Sequence, residues 1–406
     1  MNELSNKNTN NLVSNKNTKS ASLVLILGVV LIAANLRAPI TSVGPLVSYI
    51  RDDLGISNTL AGMITTLPLL AFALFSPFAP NLANKYGTRL TIFSSIIFLS
   101  IGITIRSVAG SIGLFLGTAI IGLSISVCNV LLPSLVKLDF PEKIGTMTGI
   151  YTVSMNAFGA IASGVSVPIA LSFGWSGSLG IWIILGFVAM AIWIPQLKRN
   201  QKSVNNEDKE NIKVSLWKSP LAWQVSIYMG LQSLLFYSMV AWLPEILIDR
   251  GMASSQAGLM LSLLQIAIIP VTFIISIIAG RRSNQRFLVI IGTVCALIGI
   301  LGLLSGNLNY AYICIILLGV GGGFKFGLSM MFFNLRTLSV DEAARLSGMA
   351  QSVGYLLAAC GPMLFGFLHD ISNGWTMPLI MLLVILAICF AAGLGASRDI
   401  YVNQGK

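Results

Sequence analysis

Stretches of about 20 apolar residues, each long enough to cross some 30 Å of hydrocarbon, recur along this chain from Ser22 to near its end. No other feature restricts the fold as strongly. The chain has 406 residues, 55% hydrophobic and 10% charged, against roughly 25% charged residues in soluble domains. Water-soluble folding is excluded, and the stretches read as transmembrane helices.

With Gly, Pro and charge clusters as boundaries, the first six spans fall at 22–49, 59–82, 90–107, 111–136, 145–172 and 176–196. A second set falls at 221–247, 256–279, 287–305, 309–333, 346–368 and 376–396. The fold class is therefore an all-α integral membrane protein of twelve transmembrane helices in two six-helix halves, 22–196 and 221–396. A polar tail at 1–21, rich in Asn, Ser and Lys, lacks a signal-peptide cleavage site. The segment 197–220 carries charges of both signs and reads as a linker outside lipid. Residues 397–406 form a second tail.

The formal net charge of +11 sits in short segments between apolar runs, so it argues for topology and against nucleic acid. About 20 of the 25 Lys and Arg fall in the tails and alternate loops, and the positive-inside rule then puts both termini in the cytoplasm of a cell carrying this protein in its plasma membrane. The five cysteines all fall within spans without metal-binding spacing, and the lone histidine, His369, leaves no material for a hydrolytic triad. No cofactor or metal is expected, and no phosphate-binding loop lies in a strand-to-helix context. The chain reads as a non-enzyme.

Shifting the chain by 199 positions superimposes Pro45 on Pro244, Arg51 on Arg250, Gly122 on Gly321, Lys137 on Arg336 and Gly149 on Gly348. Six helices separate the copies, so the repeat is parallel, and a substrate is expected between the halves near the midplane. One chain then holds a complete pathway and is expected to work as a monomer.

Two cations, Arg37 and Lys325, lie where the spans should hold none. Intramembrane charges are costly and default to functional candidates. Pro39 removes its own amide from the helical ladder and frees the Asn35 carbonyl, so a locally opened helix beside a guanidinium suits an anion. The structural alternative locks Arg37 onto carbonyls or a remote acid. Lys325, in the glycine-rich GVGGGFKFG, either faces the pathway or snorkels to the cytoplasm. Arg106 is expected to snorkel at the outer end of the third span, and Glu245 to serve as an interfacial anchor or to carry a coupling proton.

The segments NLRAPITSVGPL (35–46), WLPEIL (242–247) and LSGMAQSVGYLLAACGPMLFGFLHD (346–370) resemble the major facilitator superfamily, and within it the cyanate and 2-nitroimidazole transporter branch. PNLANKYGTR matches the superfamily's loop between helices two and three, with Pro80 in place of its first Gly and Asn84 in place of its acid. The resemblance implies a central cavity lined by helices one, four, seven and ten, so that Arg37 and Lys325 border the same space. Asn35, Asn129, Asn156, Gln232, Tyr237, Gln265 and Tyr355 complete the candidate substrate-binding set, with Asn334 and Gln351 as further polar residues within spans. Asn156 and Tyr355 occupy equivalent repeat positions. The expectation is a secondary transporter of a small cyanate-like, nitrite-like or monocarboxylate anion. The alternatives are an exporter of neutral nitroheteroaromatic compounds and a non-transporting membrane sensor.

Overall fold

In a computed structural model, the structure describes residues 23–56, 58–200 and 216–403. All of the expected N-terminal tail, the middle of the linker and the last three residues of the C-terminal tail lie outside the described residues. Among the described residues, eleven apolar helical stretches are long enough to cross a bilayer, and one of them, Pro141–Leu197, runs 57 residues. At 1.5 Å per residue that is about 85 Å, far beyond one crossing. It breaks at Gly174, whose φ of 70° is a left-handed conformation that glycine adopts without strain. Two crossings result, giving twelve in all.

The crossings are α1 (23–35), α2 (Asn58–Phe75), α3 (Thr88–Val108), α4 (Gly110–Asp139), α5 (Ile144–Gly180, kinked at Gly174) and α6 (Ile183–Leu197). The second set is α7 (Pro220–Asp249), α8 (Ser254–Gly280), α9 (Arg286–Leu304), α10 (Ala311–Leu335), α11 (Val340–Ser372) and α12 (Thr376–Ala396). α11 begins six residues before its expected start. Ser339 and Glu342 form a reciprocal capping box there, satisfying orphan amides that hydrophobicity alone does not register. Ser219 caps α7 in the same sense, with Pro220 at the first helical position.

Packing follows the repeat. Within the sets, α3 packs on α4 and α6 while α9 packs on α10 and α12. Between the sets, α5 packs on α8 and α2 on α11, two contacts that the 199-residue shift interchanges. Gly149 and Gly348 sit at these crossings. A Cβ on Gly149 would lie 2.8 Å from the Phe273 ring, and one on Gly348 would lie 2.9 Å from the Ser76 carbonyl. Matched glycines at 199-residue spacing thus mark two of the places where the sets approach closely. Phe98, Leu171, Phe187, Ile313 and Val384 are more than half exposed on the outside of the bundle, as a lipid-facing surface requires.

The ends differ. At the end bearing the linker, Lys137 donates to the Asn334 carbonyl (2.9 Å) and the Thr337 hydroxyl (2.9 Å), and Asn84 donates to Asp341 (2.7 Å). These bonds tie the two sets together. On the opposite end, the indole of Trp175 donates to Asp53 within the first set, and that of Trp375 to Asp249 within the second. The C-terminal segment is docked at the linker end, where the Val402 amide donates to the Arg336 carbonyl (3.0 Å).

Candidate functional site

α1 stops at residue 35 and resumes as a short helix, Ala38–Thr41, with Leu36 and Arg37 in a turn between them. The opening expected from Pro39 is present. Arg37 has φ −119° and ψ −45°, and its amide reaches only the Ala34 carbonyl, three residues back, at 3.3 Å. Three neighbouring helices hold the break. Thr41 of the short helix donates to the Gly159 carbonyl of α5 (2.9 Å). Asn35 Nδ2 donates to the Leu31 carbonyl and to the Leu185 carbonyl of α6 (2.9 and 3.2 Å). The third brace is Arg106.

Arg106 is 1% exposed and does not snorkel. Its Nη1 donates to the Pro39 carbonyl at 2.7 Å and its Nη2 to the Leu179 carbonyl at 3.4 Å. The expectation of an interfacial arginine fails because the broken α1 offers, within reach, a carbonyl whose other donor is only the Ser42 hydroxyl at 3.3 Å. A guanidinium satisfies that carbonyl inside the bundle better than water at a distant surface.

With the break braced, Arg37 faces a cavity of about 440 Å³ formed by both sets of helices. Arg37, Asn156, Gln232, Tyr237 and Tyr355 all line it. Five of the nine expected residues thus meet in one place. The remaining walls are Ser233, Phe236, Ile268, Gly322 and Phe326. From the guanidinium, Nη1 donates to the Tyr237 hydroxyl at 3.3 Å, and among the described residues no carboxylate pairs with it. Asn156 Nδ2 is buried without a partner. The site therefore holds a cation and a spare amide donor, with aromatic rings at the edge. Tyr355 also packs its ring against that of Phe72 in a tilted arrangement, centroids 4.8 Å apart, joining α11 to α2.

The other expected residues lie elsewhere. The Asn35 amide is spent on the two carbonyls that brace the α1 break. Asn129 offers its main-chain carbonyl to Gln351 (3.0 Å), a bond between sets, and does not line the cavity. Gln265 lines it neither. Asn334 is buried and accepts from Lys137 through its main chain. Glu245 is exposed on α7 and outside the cavity.

Lys325 departs from the expectation that both cations border one space. It lines a neighbouring lobe of about 450 Å³ that does not include Arg37. Its ammonium donates to the Gly321 carbonyl one turn back and to the Gly292 carbonyl of α9, both at 3.3 Å. Helical side chains lean toward the N-terminus of their helix, which for α10 is the end opposite the linker, so Lys325 does not snorkel toward the linker side.

The apolar wall residues Phe236, Phe326, Ile268 and Gly322 went unread because apolar residues in apolar helices carry no contrast. One signal was present: Phe236 is the 199-residue counterpart of Arg37. The two cavity-lining faces of α1 and α7 are repeat equivalents.

The Major Facilitator Superfamily model matches residues 25–358 of the chain. The uncharacterized transporter YycB of Bacillus subtilis (strain 168) is 46% identical over 393 residues, covering 96% of this chain and 97% of that protein. The 2-nitroimidazole transporter of Escherichia coli (strain K12) is 39% identical over 378 residues, covering 93% and 96%. Among solved structures, the proton:xylose symporter XylE bound to 6-bromo-6-deoxy-D-glucose superimposes with a TM-score of 0.75 at 12% identity, covering 94% of this chain and 97% of that one. At that identity the likeness concerns the fold alone.

Proposed function

Because this chain belongs to the Major Facilitator Superfamily, and is thereby a transporter and not an enzyme, we propose that it carries a small organic or inorganic anion across the plasma membrane by alternating access. The observation that carries this reading is Arg37: a guanidinium at a helix break, in a cavity between the two sets, with a tyrosine hydroxyl as its hydrogen-bond partner and, among the described residues, no acid to neutralise it. An uncompensated cation in low dielectric attracts anions strongly. The guanidinium fork matches the two oxygens of a carboxylate or nitrite, and Asn156 Nδ2 supplies one further donor.

In this reading the linker end is cytoplasmic, and the bonds of Lys137 and Asn84 across the sets hold that end shut while the cavity serves the outside. Release inward requires those bonds to break and the outer ends of the sets to meet. Asn84 stands where the superfamily pattern has an acid, and its partner is the acid Asp341 on the other set. The pairing is thus a neutral donor to a carboxylate, which Arg345 also engages (2.7 Å). One chain supplies both sides of the cavity, which supports a monomeric unit.

Flux of nitrite, cyanate and acetate into proteoliposomes tests the reading. Arg37→Ala should reduce uptake at least tenfold, since a hydrogen bond to a charged group contributes about 1.5–3 kcal/mol. Unchanged uptake in a folded, inserted variant would refute it. A second reading, export of neutral nitroheteroaromatic compounds, draws on the 39% identical 2-nitroimidazole transporter and on the aromatic walls at Phe236 and Phe326. Under it, a deletion strain gains drug susceptibility and anion flux is indifferent to Arg37.

A further inference from the structure

The lobe beside the Arg37 cavity has no role in the reading above. It measures about 450 Å³, and Gln232, Phe236, Ile268 and Gly322 line both spaces. The two are therefore neighbours across a common wall in the second set of helices. Most of the annex is aliphatic, with Leu235, Met239, Leu264, Ile300, Leu318 and Leu382 among its walls. Two polar side chains reach it, Gln232 and Lys325.

Such a chamber is poorly suited to a hydrated ion, because apolar walls offer water too few partners. It holds a cation that meets two main-chain carbonyls. An ammonium has three N–H donors. The two carbonyls that Lys325 engages are both at 3.3 Å, beyond the usual 2.7–3.2 Å range of about that bond type. Among the described residues no carboxylate pairs with it. The side chain can therefore meet an acceptor in the annex with at least one donor in hand.

Size points the same way. A triatomic anion held by Arg37 is too short to enter the annex as well. A ligand that uses both must have a body, and Gly322 at the common wall leaves the approach to it flat. A Cβ there would stand 3.4 Å from Ile268 Cγ1, so the position could hold a side chain without a clash, and its bareness keeps the way between the lobes open.

We propose that the annex receives the apolar body of the transported anion. The substrate class is an amphipathic organic monocarboxylate, aromatic or branched, whose carboxylate rests on Arg37 and whose remote end carries a hydrogen-bond acceptor for Lys325 and Gln232. This rests on the anion reading of Arg37 and narrows it.

The test uses the purified full-length protein, with ligand-induced thermal stabilisation and competition for uptake in proteoliposomes as readouts. The probes are nitrite, acetate, benzoate and 4-nitrobenzoate. Benzoate should bind at least tenfold tighter than acetate, from the apolar area its ring buries, and 4-nitrobenzoate about threefold tighter than benzoate. Lys325→Met should erase the second difference and leave the first. Met239→Trp, which fills the annex from a position that does not line the Arg37 cavity, should weaken benzoate at least tenfold while changing acetate less than twofold. If the wild-type protein binds nitrite and acetate as tightly as the benzoates, and Arg37→Ala abolishes all four, the annex proposal is overturned and the anion site stands. If Arg37→Ala changes none of them, the underlying anion reading falls.

Discussion

Arg37 and Arg106 are both arginines inside the first six helices, both without an acidic partner among the described residues, and the structure gives them opposite occupations. Arg106 spends its two terminal nitrogens on main-chain carbonyls, those of Pro39 and Leu179. Arg37 sends one nitrogen to a side-chain hydroxyl, Tyr237, and the rest of its fork faces a cavity. The two are linked, since the carbonyl that Arg106 satisfies lies two residues beyond Arg37 in the same helix break. A buried cation is thus not a ligand site by virtue of its charge. What decides is whether the backbone has already consumed its donors.

The largest effect expected to sharpen this contrast is on stability. Arg106→Met takes the guanidinium from the Leu179 carbonyl and leaves the Pro39 carbonyl with only the Ser42 hydroxyl (3.3 Å), inside the bundle, where each unsatisfied group is costly. At about 1–3 kcal/mol per orphaned group, less what is regained by removing a desolvated charge, the variant should lose about 2 kcal/mol. Arg37→Met should lose little, because its main partner is a tyrosine that can find other company. Thermal melts of the two variants in detergent check this. Equal destabilisation would break the division between brace and ligand.

The same contrast explains how much could be read beforehand. The twelve crossings and the parallel repeat follow from apolar length and residue matches, and the α1 break from a proline beside an arginine within a span. Arg106 was misplaced because its position near a helix end fits snorkelling, and only the fold reveals the open carbonyl at Pro39. Asn35 and Asn129 carry the same polar signal as Asn156, yet Asn35 braces the break and Asn129 serves another helix through its carbonyl. Polarity within a span identifies a residue that needs a partner. It does not say whether that partner is backbone or substrate. Lys325 was legible as an anomaly for the same reason, and its separate lobe was not, because the walls that divide it from Arg37 are apolar.

A smaller effect distinguishes charge from geometry at Arg37. Arg37→Lys keeps a cation at the break but replaces a planar fork with a single point charge. Affinity for acetate should fall about tenfold, measured by thermal stabilisation or by competition for uptake, while the melting temperature of the unliganded protein stays near wild type. A lysine that fully substitutes would show that the cavity needs only positive potential. The bidentate argument would then be lost and the anion site kept.

The smallest effect expected falls on Tyr237, the one hydroxyl that holds the Arg37 side chain in the second set of helices. At 3.3 Å the bond is long, so it falls short of the about 1.5–3 kcal/mol of a well-formed bond to a charged group. Tyr237→Phe should therefore weaken acetate binding about threefold, with the cavity shape preserved because the ring remains. Its value lies in the sign of the change. If Tyr237 only orients the guanidinium, removing the hydroxyl lowers affinity. If instead it competes with the substrate for Arg37 and must be displaced on binding, Tyr237→Phe raises affinity, and Arg37 would then resemble Arg106 more closely than the contrast drawn above allows, as a cation whose donors the protein partly reserves for itself.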